Sequence, residues 1–78
     1  MTSFVAYACC VTFAMKMREH RERLGMSQAQ LGRLVGLGRT SITNIEAGRQ
    51  PVSLATACRI AEALDTTLSL LVGEAVMA

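Results

Sequence analysis

Arg39, Thr40, Thr43 and Asn44 are the residues whose types and spacing could do chemistry in this 78-residue chain. On a helix from Arg39 to Ala47, at about 100° per residue, Arg39, Thr43, Ala47, Thr40 and Asn44 fall within an arc of about 140°. Ile42 and Ile45 fall opposite, with Glu46 at the edge. An arginine, two threonines and an asparagine over a small alanine suit the base edges of a DNA major groove. Arginine can chelate guanine O6 and N7, asparagine can chelate adenine, and a threonine methyl can meet that of thymine. A helix face turned to water has the same composition, so the elements around it must decide.

Residues 28–47, QAQLGRLVGLGRTSITNIEA, supply that decision. Gly32 stands where two steeply crossing helices require a small side chain, and Gly36 stands at the turn. Leu31, Val35, Leu37, Ile42 and Ile45 must point inward to hold the pair together, and no proline interrupts it. This is a helix-turn-helix pattern. Ser27 with Gln30 gives the preceding capping box, and Leu31, Leu34 and Val35 define one buried face at helical spacing. Upstream, residues 16–24 are rich in helix formers and stop at Gly25. Downstream, Ser53 is expected to cap a fourth helix that buries Leu54, Ala57, Cys58, Ala61 and Leu64. Thr67 then caps a last turn with Leu68, Leu71 and Val72 inward. The alternation Leu68, Leu70, Val72 would equally suit a short strand.

With these segments in place, residues 17–72 resemble the lambda-repressor-like family, also called the Cro or xenobiotic-response-element (XRE) family. The resemblance is carried by RERLGMSQAQLGRLVGLGRTSITNIEAGRQP and SLATACRIAEAL. It implies an all-α, compact five-helix DNA-binding domain. It also implies a transcriptional regulator, usually a repressor, that binds a palindromic operator in double-stranded DNA as a homodimer. The family's base-contacting positions fall on Arg39, Thr40 and Asn44, with Thr43 beside them. Its phosphate-contacting positions fall on Gln28, Ser41 and Arg49; at Gln28 a helix N-terminus favours an anion in any case. Arg21 and Glu46 match a structural ion pair between the first and third helices. Gly38 departs from the usual Ser or Thr cap, at a cost of about a few tenths of a kcal/mol. His20 takes an often aliphatic position and is expected to be partly buried.

Composition bounds the rest. Residues 1–15 hold twelve apolar side chains and no charge, and this stretch has no place in the family pattern. The expected division is an apolar extension over 1–15, the DNA-binding domain over 16–73 and a tail over 74–78. The run from Phe4 to Met15 is too short to span a bilayer, so no membrane partner is expected. No basic residue precedes it as in a signal peptide. Its Val, Tyr, Thr and Phe permit a strand. It is either an arm packed across a dimer or upstream translation before a start at Met15 or Met17.

Seven cations against three carboxylates give residues 16–49 a net charge of +4, whereas residues 50–78 carry −2. A basic half beside an acidic one suits an anion on one face and a different partner on another. The acidic, Leu-rich end (Leu68, Leu70, Leu71, Val72) offers a dimer surface. The alternative is an antitoxin-like module that neutralises a toxin partner while repressing its own operon. Three cysteines cannot all pair within one chain, and no Cys-x-x-Cys spacing occurs. With a single histidine besides, no metal site and no cofactor is expected, and Cys58 is read as a small buried hydrophobe. The usage fits a reducing cytoplasm. No spacing suggests a nucleophile with its base or a carboxylate pair, so no catalytic residue is assigned.

Overall fold

Nothing between Thr2 and Arg23 can break a helix, since the stretch lacks both proline and glycine. In the computed structural model, which describes residues 2–72 with side chains from residue 12 to residue 71, it forms one continuous helix. The elements are α1 (Thr2–Arg23), α2 (Gln28–Val35), α3 (Arg39–Glu46), α4 (Leu54–Ala63) and α5 (Leu68–Val72). Among the described residues there is no strand. The apolar extension is therefore helical, not the strand its composition permits. Likewise, residues 68–72 take the helical alternative. The tail at 74–78 lies outside the described residues.

Helix α1 packs on α3 and α5, α2 on α3 and α4, and α4 on α5. They enclose a core of Phe13, Met17, Leu31, Val35, Ile42, Ile45, Ala57, Ile60, Ala61, Leu64 and Leu71, edged by Met26, Leu37, Val52, Ala63 and Leu68. Phe13 is only 3% exposed and Ala14 is buried with it, so the core reaches into the stretch counted above as an extension.

The capping box forms as expected: Gln30 N donates to Ser27 Oγ at 3.0 Å, and Ser27 N donates to Gln30 Oε1 at 2.7 Å. Helix α2 buries Leu31, Gly32 and Val35, whereas Leu34, expected on the same face, is 62% exposed. The reason is rotational. The three buried residues span about 100° of the helix, and Leu34 lies about 110° from their middle. Gly32 turns the buried arc towards α3. A Cβ built on Gly32 would stand 2.5 Å from the Leu37 carbonyl oxygen, so the close crossing needs a residue without one. Gly36 then ends α2 at φ 77°, a left-handed conformation that glycine adopts without strain. Leu37 N donates back to the Gly32 carbonyl at 2.8 Å, which closes the turn.

Ser53 caps α4 by accepting from Thr56 N at 3.1 Å. The helix buries Ala57, Ile60 and Ala61, and Leu64 at its C-cap is buried with them, while Leu54 is 70% exposed and Cys58 is also exposed. Both were expected inside. Helix α4 is rotated about 50° from that expectation, which brings Ile60 into the buried face at one edge and leaves Cys58 about 110° from its middle. Leu54, the first helical residue, overhangs the core's edge. Thr67 Oγ1 accepts from Leu70 N at 3.4 Å at the start of α5. Leu71 is buried, Leu68 is half-buried and Leu70 is exposed.

Candidate nucleic-acid interface

Ile42 and Ile45 anchor α3 in the core, which decides which of its sides faces outward. Arg39, Thr40, Thr43 and Ala47 are exposed on that side, and Asn44 and Ser41 are half-buried at its margins. Gly38 begins the helix with extended backbone and no side-chain cap. Backbone N–H groups at such a terminus favour negative charge. Arg49 follows α3 as an exposed cation, and its N–H is held by the Asn44 carbonyl at 3.0 Å.

A chain of polar contacts holds this surface against α1 and α2. Arg21 Nε donates to Glu46 Oε2 at 2.6 Å and Arg21 Nη2 donates to Glu46 Oε1 at 3.0 Å, a bidentate pair. Arg21 Nη1 also donates to the Met26 carbonyl at 2.8 Å, tying the end of α1 to the following loop. The side chains are 11% and 4% exposed, so the pair is largely withdrawn from water. The hydrogen bond to Glu46 raises the Arg21 pKa above its ordinary value, against the opposing pull of burial. Gln28, the first residue of α2, donates from Nε2 to Glu46 Oε1 at 3.2 Å and accepts from Thr43 Oγ1 at 2.8 Å.

Gln28, which the family resemblance assigns to phosphate, is thus also a bridge between α2 and α3. Its amide nitrogen carries two hydrogens and Glu46 engages one, which leaves the other for an outside acceptor. The sequence reading missed Arg18. This exposed cation lines an open depression with Arg21, Gln28, Thr43, Glu46 and Ala47. Its signal was the i, i+3 spacing to Arg21 on α1. Among the described residues, no group of three or more His, Cys, Asp or Glu could hold a metal ion, and no helix is long and apolar enough to cross a membrane.

Residues 17–71 match the family model described as helix-turn-helix. The chain belongs to the helix-turn-helix family. An uncharacterized HTH-type transcriptional regulator of Methanothermobacter thermautotrophicus is 48% identical over 48 residues, which are 62% of this chain and 70% of that protein. A putative HTH-type transcriptional regulatory protein of Thermococcus kodakarensis is 42% identical over 53 residues, 68% of this chain but only 17% of that much longer protein. Among solved structures, the restriction-modification controller protein C.AhdI from Aeromonas hydrophila is 38% identical, with a TM-score of 0.77 over 83% of this chain and 94% of its own. The same helix-turn-helix fold recurs in the hydroxypropylphosphonic acid epoxidase from S. wedmorenis, at 27% identity and a TM-score of 0.80. There it covers 85% of this chain but 35% of the epoxidase. This helix-turn-helix protein is a sequence-specific DNA-binding transcriptional regulator of the Cro/XRE type.

Proposed function

We propose that this regulator is a repressor whose homodimer lays α3 of each copy in the major groove of a palindromic operator, in the cytoplasm. The observation that carries the reading is the outward polar face of α3 on a helix fixed by Ile42, Ile45 and the Arg21–Glu46 pair. In this arrangement Arg39, Thr40, Thr43 and Asn44 read bases, while Gln28, Ser41 and Arg49 hold phosphates and set the register. Repression follows from occupancy: a bound dimer excludes other proteins from the same DNA.

Selection of bound duplexes from a random pool tests this. The expected product is a palindrome whose half-sites are centred about 10 base pairs, or about 34 Å, apart. Enrichment of a single half-site would point to a monomer, and no enrichment would remove sequence-specific reading altogether. Leu54 and Leu70 are large apolar side chains left exposed outside the reading face, and a second copy is the simplest cover for them. Light scattering of the DNA-free protein should give twice the chain mass. A stoichiometric second protein co-purifying in its place would favour the antitoxin-type alternative, with a toxin as partner.

A further inference from the structure

We propose that Thr43 contacts its base as a hydrogen-bond acceptor only, and so selects the exocyclic amino group of adenine or cytosine. This rests on the reading of α3 as the base-contacting helix. The argument runs outward from the core. Arg21 places N–H groups on both oxygens of Glu46, and Glu46 Oε1 takes a further hydrogen bond from Gln28 Nε2. A carboxylate held by an arginine only accepts. The Gln28 amide must therefore turn its NH2 to Glu46, since the reversed amide would set two oxygens against each other. That orientation leaves Gln28 Oε1 facing Thr43 Oγ1, at 2.8 Å.

The other neighbour of Thr43 Oγ1 is the Arg39 carbonyl oxygen, at 3.0 Å. Both neighbours are acceptors, and neither has a proton to give. The one hydroxyl proton of Thr43 is thus committed inward, to Gln28 or to Arg39, and only lone pairs face out. In the major groove, adenine N6 and cytosine N4 donate, whereas guanine O6 and N7 and thymine O4 accept. An outward oxygen with no proton matches the first pair and repels the second. Arg39 and Asn44 carry N–H donors of their own, so Thr43 adds the complementary polarity to the same face.

The test uses the operator found by selection from a random pool. The base pair whose preference relaxes in Thr43→Val, a near-isosteric change at an exposed site, identifies the contact; circular dichroism verifies the fold. Within that pair, replacing adenine by purine or cytosine by pyrimidin-2-one removes only the amino group. The loss of wild-type affinity should be about 3- to 10-fold, the worth of one hydrogen bond, and Thr43→Val should lose nothing further. Gln28→Leu leaves only the Arg39 carbonyl to hold the proton and should narrow that discrimination. No loss of wild-type affinity on removing the amino group, or equal sensitivity to it in wild type and Thr43→Val, would overturn the proposal. Unchanged discrimination in Gln28→Leu would overturn the part assigned to Gln28. An operator in which Thr43→Val relaxes no position overturns the proposal while α3 remains the reading helix. A folded wild-type protein that enriches nothing overturns the underlying reading instead.

Discussion

Glu46 accepts three hydrogen bonds from two other helices, and its side chain is almost fully withdrawn from water. Removing it strands a mostly buried guanidinium. Glu46→Ala should therefore cost about 3 kcal/mol, as for other broken buried pairs, read as a lower urea midpoint. Arg18 pairs with Glu22 at 3.2 Å, but both side chains are more than half exposed. Arg18→Ala should stay within about 0.5 kcal/mol of wild type in the same measurement. Because folding raises the Arg21 pKa, its stabilising effect is complete at every pH below the unfolded value. It declines as pH rises from the unfolded value through the folded one, in strong alkali, so neutral-range titration should not weaken this contact from the arginine side. Arg39, in contrast, is exposed and outside the core. Arg39→Ala should leave stability unchanged but weaken operator binding by about 1–3 kcal/mol and relax one base pair. Fluorescence anisotropy on operator and scrambled duplexes checks this, and equal losses on both would make Arg39 a phosphate contact.

At the scale of elements, two glycines separated by one turn of α2 should fail differently. Gly36 has open space around it and a φ of 77°, so Gly36→Ala meets only backbone strain, about 1 kcal/mol. Gly32 has ordinary backbone but no room, because the obstructing atom is the Leu37 carbonyl of the turn itself. Gly32→Ala must push α2 and α3 apart and should cost about 2–3 kcal/mol. Thermal melts of the two variants check the order, and a milder Gly32→Ala would mean that the crossing yields. Both glycines were legible from the sequence, as were the caps at Ser27 and Ser53 and the inward isoleucines of α3, because each depends on local geometry. The rotations of α2 and α4 were not. Helices of eight and ten residues carry too few turns for spacing alone to fix an arc. Leu34, Leu54 and Cys58 were thus placed inside when packing against α3 and α5 leaves them out. The Thr43–Gln28 contact joins residues fifteen apart; it depends on how α2 and α3 cross, which no pattern along the chain records.

For the molecule as a whole, the first helix is part of the core and not an appendage to it. Phe13 and Met17 fill one side of the core from α1, so Phe13→Ala should cost about 3–5 kcal/mol. Against a total of about 5–15 kcal/mol for ordinary proteins, that could unfold the chain near body temperature. A chain begun at Met15 should melt well below the full-length protein; equal midpoints would mean that Phe13 adds nothing. Composition marks the apolar stretch but does not show where packing begins, since phenylalanine looks the same inside an extension or a core. The polar chain from Arg21 through Glu46 and Gln28 to Thr43 has a further consequence, for divergence among descendants of this gene. Arg39 and Thr40 project from α3 without such a tether, so on the proposed reading of α3 substitutions there should redirect the protein to new operators while the fold is untouched. A change at Thr43 is felt at Gln28 and Glu46 in turn. New binding specificities should accordingly arise first at residues 39 and 40, and position 43 should change only in company with position 28.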